Sequence, residues 1–182
     1  MNGMIFAEEF DTKYRHMTYG ISLRKLFMLS GFIALVSLTS CDPTLKTDDL
    51  EAKEKLDISN FILNNDTIDF VLKSSGLYYY DLVAGTGAQV EPQDTAYIFY
   101  AMQYLTTQIF ETNIGTTDTL KVLVSQDNLL SGFKEGLSYM KEGGKSLLVV
   151  PSSLAFGSQG SYYVSPYTPF LFQIYLVKLK KN

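Results

Sequence analysis

Tryptophan is absent from this chain of 182 residues, and cysteine and histidine occur once each. Both single residues, His16 and Cys41, lie near the N-terminus. Beyond Cys41 there is no imidazole and no thiol, which excludes Ser-His-Asp and Cys-His nucleophilic catalysis and any metal site built on His or Cys. One cysteine cannot close an intrachain disulfide, so an oxidising compartment would add nothing to stability. Charge is also modest, with 15 Lys and Arg against 19 Asp and Glu and a formal net charge of -4. The first forty residues hold four basic and three acidic groups, leaving −5 on the rest. A mildly acidic chain without basic stripes argues against nucleic acid as a partner. An Asp-x-Asp-x-Asp-Gly loop is missing too, which removes a calcium-binding reading.

Long apolar runs are equally scarce, apart from one. Leu26 to Leu38 read LFMLSGFIALVSL, preceded by Arg24-Lys25 and followed by Thr39-Ser40-Cys41. A basic stretch, a short apolar core and small residues before a cut are the parts of a secretory signal peptide. The run is short for a membrane span. Its ending, Leu-Thr-Ser-Cys, resembles a bacterial lipobox, which implies lipidation at Cys41 and a mature chain beginning there. The alternative is a signal anchor that stays in the membrane. Residues 1–40 are thus read as a signal peptide with an upstream extension, and Met17 as the more natural start.

Residues 41–66 are expected to be a lipidated tether leading into an N-terminal helix near 48–64, with Thr47 as its cap and Leu56, Phe61 and Ile62 as a weak apolar side. Its charges read as a solvated face. From Asp66 onward the texture is β, with aromatic-rich runs broken by turn signals. Strands are expected near 68–72, 77–83, 95–104, 120–124, 145–150 and 170–179, and residues 67–182 form one domain.

The most informative run is LLSGFKEGLSYMKEGGKSLLVVPSSLAFG, from Leu129 to Gly157. Phe133, Leu137 and Met140 fall at i, i+4 and i+7, predicting a short amphipathic helix over 132–140. Gly143-Gly144 reads as its left-handed stop. Leu147 to Val150 make a buried strand, followed by the Pro151-Ser152-Ser153 turn and Ala155-Phe156-Gly157. This order resembles the FKBP-type peptidyl-prolyl cis–trans isomerases, whose pattern is roughly V-I-x-G-W-x-E-G-L-x-x-M-x-x-G-x-K and then I-P-P-x-L-A-Y-G. The likeness extends over residues 76–182, through Gly76-Leu77-Tyr78-Tyr79, Gly85-Thr86-Gly87, the strand from Asp94 to Tyr100 and the closing run FLFQIYLVKL. It implies an α+β fold in which a curved antiparallel half-barrel of five to six strands wraps one short helix, preceded here by the tether and N-terminal helix.

The resemblance also implies a site. Tyr100, Phe110, Glu111, Leu130 and Phe156 would act on the peptide, with the Leu130 N–H facing the substrate carbonyl. Leu120, Leu129, Phe133, Val164 and Phe172 would hold the proline, with Leu120, Leu129 and Val164 at the rim. Three of these depart from the pattern: Phe133 replaces tryptophan, Phe156 replaces a tyrosine hydroxyl donor, and Glu111 replaces aspartate, one methylene shorter. Reduced activity is the expectation. Taken without the resemblance, the same apolar residues read equally as ordinary core.

Rotation about an X–Pro bond meets a barrier of about 18–20 kcal/mol because twisting the amide removes its resonance. Lowering it needs no nucleophile or cofactor, so the missing imidazole and thiol are no obstacle. The leading expectation is an outer-membrane-anchored isomerase facing the periplasm, acting on proline-containing exported polypeptides and held to the membrane by lipid. The alternative keeps the fold and loses the catalysis, giving a chaperone or interaction module of a cell-envelope (gliding or secretion) assembly. Tyr162, Tyr163 and Tyr167, crowded on one loop, suit contact with peptide or an envelope partner; covering an open end of the sheet is the other reading.

Overall fold

The computed structural model describes residues 47–126 and 128–182. The signal peptide, Cys41 with its expected lipid, and the start of the tether lie outside the described residues. Two α-helices and seven strands follow in order: α1 (Thr47–Asn64), β1 (Val71–Leu72), β2 (Tyr78–Val83), β3 (Thr95–Tyr104), β4 (Ile109–Thr112), β5 (Leu120–Leu123), α2 (Ser131–Tyr139), β6 (Lys145–Val150) and β7 (Phe170–Lys180). A 3-10 turn, Ser152–Leu154, follows β6.

All pairings are antiparallel, in the order β1-β2-β6-β7-β3-β4, and β5 shares the outer edge of β3 with β4. The sheet is open, because β1 and the β4/β5 edge do not pair with each other. The expected architecture holds, with seven strands in place of five to six. The addition is β4, only four residues long, whose pairing with β3 carries a bulge between Met102 and Gln103.

Alternation along β3, β6 and β7 supplies a core on both faces of the sheet. On one face Ile98, Tyr100 and Met102, Leu148 and Val150, and Phe170, Phe172 and Ile174 meet Phe133, Leu137 and Met140 of the α2 segment. Leu137 is fully buried there. On the other face Val149 and Leu171 receive Ile58, Phe61 and Ile62 of α1. Beside them Ile68, Phe99 and Leu147 form a smaller cluster.

The α2 helix lies close to β6 because its contact face carries glycines four residues apart. A Cβ at Gly136 would come 2.3 Å from Leu148 Cδ1, and one at Gly132 would come 2.5 Å from Val150 Cγ1. The helix does not run to the glycine pair. It ends at Tyr139 with Met140 extended, and Gly143, at a φ of 83°, belongs to the turn beyond. What caps it is Gln89, whose side-chain amide donates to the carbonyls of Ser138 (2.6 Å) and Met140 (2.8 Å).

Two readings of α1 are corrected. Leu56 is 59% exposed, whereas Ile58 is buried. Ile58, Phe61 and Ile62 form the i, i+3, i+4 stripe, and Leu56 sits two residues off it. The solvated face is present, with the ion pairs Lys53–Asp57 and Glu51–Lys55 exposed on it. One charge is not solvated: Glu54 is buried. Among the described residues no helix is long and apolar enough to cross a membrane.

Candidate functional site

The site lies where the α2 face of the sheet meets the N-terminal end of α2. Tyr100, from the middle of β3, places its ring 6.1 Å from that of Phe133, which in turn lies 5.5 Å from Phe172 of β7. Phe133 and Phe172 are almost fully buried. A second aromatic group adjoins them. Phe110 contacts Phe170 (5.6 Å), Phe156 (6.3 Å) and Tyr104 (5.9 Å), and Phe156 contacts Phe170 (5.7 Å).

Phe110 and Glu111 are consecutive, yet both address this face. In a regular strand they would point to opposite sides. The bulge resolves this: Glu111 pairs with Met102 and Ile109 with Gln103, so Phe110 is the extra residue. A bulge re-aims one side chain without ending the pairing. Glu111 then accepts a hydrogen bond from the Tyr100 hydroxyl at 2.5 Å. The extra methylene of glutamate does not displace that contact. Burial, with the Glu111 carboxylate beside it, pushes the Tyr100 phenol well above its ordinary range. The ring therefore stays neutral and directed at Glu111 across physiological pH.

Leu130 is the N-cap residue of α2, with φ −58° and ψ 135°. The helical ladder leaves the N–H groups at that end without partners of its own. Leu129, Leu130 and Phe156 are half-buried against the core. Leu120 shares a strand face with the buried Val122 and is 40% exposed. Val164, expected at the rim, is buried instead and belongs to the core. Its loop carries Tyr162 and Tyr163, 93% and 77% exposed, so those two rings do not cover the sheet. They meet edge to face, centroids 4.7 Å apart, and Tyr167 beside them has a φ of 54°.

Phe170 and Tyr104 were not among the expected site residues. Phe170 is fully buried, and its ring lies 5.1 Å from that of its cross-strand partner Tyr104. The signal was available: Phe170 stands two residues before Phe172 and Tyr104 four after Tyr100, which places each on the same strand face.

Comparison with known proteins agrees with this fold. The family model of the FKBP-type peptidyl-prolyl cis-trans isomerases matches residues 87–177, half of the chain. The chain belongs to this family. It is 30% identical over 107 residues to the FKBP-type peptidyl-prolyl cis-trans isomerase FkpA of Escherichia coli K12, covering 59% of this chain and 39% of that protein. The chain therefore spans about two fifths of the length of that relative. The crystal structure of FkpA from Escherichia coli superimposes with a TM-score of 0.65 at 28% identity, over 74% of this chain and 61% of that one. A peptidyl-prolyl cis-trans isomerase from Pseudomonas syringae pv. tomato gives a TM-score of 0.64 at 23% identity, over 74% and 96%. That second likeness bears on the fold alone.

Proposed function

We propose that the chain is a prolyl isomerase that binds X-Pro segments of exported proteins in the aromatic cluster and is held to the cell envelope by lipid on Cys41. The observation that carries the isomerase reading is the set formed by Tyr100 and its Glu111 acceptor, Phe110, Phe133, Phe156 and Phe172, beside the N-cap residue Leu130. The planar amide is the more charge-separated form. Moving it from water into an apolar cup therefore costs the ground state more than the twisted transition state. The proline ring would pack over Phe133 and Phe172, and the Leu130 N–H would hold the preceding carbonyl.

The lipobox-like Leu-Thr-Ser-Cys supports the anchor, with the periplasmic face of the outer membrane as the compartment read from it. Two or more acyl chains would give stable attachment where one is marginal. Mass spectrometry of the protein from its own membrane should find a diacylglyceryl-modified Cys41 at the N-terminus. A soluble chain cut elsewhere would end that part of the reading.

A second reading keeps the pocket as a binding surface without turnover, as in a chaperone or envelope interaction module. It is favoured by Phe156, which brings a ring and no hydroxyl to the ligand, and by the exposed Tyr162–Tyr163 pair as a partner contact. A protease-coupled isomerase assay of the full chain on a tetrapeptide Xaa-Pro series separates the two. Acceleration with a preference for apolar residues before proline is expected. No acceleration, with retained binding of an unfolded proline-rich client, would replace catalysis by the binding role.

A further inference from the structure

Glu54 is a carboxylate buried to 7% exposure on a helix whose ion pairs are exposed, and both of its oxygens go to one residue 98 positions away. One oxygen accepts the backbone N–H of Ser152, and the other accepts the Ser152 hydroxyl at 2.7 Å. Ser152 opens the 3-10 turn after β6. Its own carbonyl accepts the N–H groups of Ala155 (2.8 Å) and Gly157 (2.7 Å), the two neighbours of Phe156. The turn also touches the start of α2, where the Ser131 hydroxyl donates to the Leu154 carbonyl at 3.1 Å. A continuous hydrogen-bonded path thus joins α1, on one face of the sheet, to the loop bearing Phe156 on the other.

The pairing is specific in its chemistry. A buried carboxylate is tolerated only when its oxygens are satisfied, and bonds to the charged form are about twice as strong as neutral ones. The family pattern I-P-P-x-L-A-Y-G has proline where this chain has Ser152. Proline has neither the N–H nor the hydroxyl, and would leave Glu54 stranded.

We propose that Glu54 is a positioning residue, through which the N-terminal helix sets the Phe156 loop against the rest of the aromatic cluster. The proposal rests on Phe156 belonging to the proline pocket. It makes α1 part of the working site and not merely a spacer.

The test uses the full chain with Glu54→Gln, Ser152→Ala and their combination. Hydrogen exchange is followed by mass spectrometry, alongside kcat and KM on an Xaa-Pro tetrapeptide. Glu54→Gln should speed exchange in the 152–157 segment about tenfold, the size of one charge-assisted bond lost, with β3 and β7 unchanged. It should also raise KM more than it lowers kcat. Ser152→Ala, which keeps the backbone donor and should fold in any case, should give a smaller change that does not add to the first. Exchange quickened only in α1, or evenly through the molecule, would overturn the proposal. So would kinetic losses that merely follow the folded fraction. An inactive wild type in which Glu54→Gln still loosens 152–157 would sink the isomerase reading and leave the anchoring role standing.

Discussion

The two faces of the sheet are closed by helices of opposite kinds. The helix α2 is nine residues long, lies against β6 through Gly132 and Gly136, and buries Phe133 and Leu137 in the main core. The helix α1 is twice as long and mostly exposed, and it holds the other face through Ile58, Phe61, Ile62 and one buried carboxylate. The first is an apolar joint that carries Phe133 into the aromatic cluster. The second is partly polar and bonds to the turn that precedes Phe156. An apolar joint answers to volume lost or added, whereas a polar one is sensitive to the donors it meets.

That contrast is sharpest in truncation. Leu137→Ala should cost about 2–5 kcal/mol, because a fully buried leucine leaves a cavity between α2 and the sheet. Ile58→Ala should fall at the low end of the same range, since its cluster is smaller and made mostly of half-buried residues. Denaturant unfolding of the two variants checks this. Equal losses, or a near-zero loss at Leu137, would break the distinction between the faces.

Overpacking probes the same joint from the other side. Gly136→Ala puts a methyl against the flexible end of Leu148, and Gly132→Ala puts one against Val150 and the Leu154 backbone. Losses of about 1–3 kcal/mol are expected, larger at Gly132 because its neighbours include main chain. Thermal melts that rank Gly136 as the more costly position would mean that the helix tilts to relieve Gly132.

The α2 joint was largely legible in the sequence and the α1 joint was not. The Phe133, Leu137, Met140 stripe and the continuous apolar run of β6 carry helix and strand periods directly, and β3 and β6 occupy the ranges expected of them. The helix α1 has a weak stripe, and its buried polar contact is a Glu–Ser pair that no period encodes. The strand β4 escaped for two physical reasons. It is short, and its bulge breaks the alternation by which strands are recognised. Within the aromatic cluster, the α2 and β3 members were readable, while Phe170 and Tyr104 needed strand phase extended by one more pair.

The Tyr100–Glu111 contact offers a pH test of the site. Its phenol pKa is raised above the ordinary value of 10.0, so the stabilisation it brings is complete below pH 10 and is lost as pH rises through the raised value. Ultraviolet titration should therefore find tyrosines resistant past the ordinary range. Tyr79, raised by burial and its bond to Asp81, should be another. Tyr100→Phe should remove one resistant tyrosine and cost about 1 kcal/mol at neutral pH. An unchanged titration curve would mean that the hydroxyl is not held by Glu111 in solution.

The smallest effects concern the two aromatic departures, which decide between catalysis and binding alone. Phe156 lacks a hydroxyl that could reach a ligand, and a neutral hydrogen bond is worth about 0.5–1.5 kcal/mol. Since 1.36 kcal/mol in the barrier is about tenfold in rate, its absence should cost a factor of ten or less and should not abolish turnover. Phe133→Trp must enlarge a floor already packed on Tyr100 and Phe172, so its gain in apolar contact is offset by crowding. Phe156→Tyr alone should therefore account for most of the rise in kcat/KM on a Leu-Pro or Phe-Pro peptide, with the double variant adding little. Phe110→Ala should lower kcat/KM, because it removes the ring that Phe156 rests on and opens the cup to water. An inactive wild type, together with no gain from Phe156→Tyr, would remove rotamase chemistry from this pocket and leave the α2 face as a peptide-binding surface.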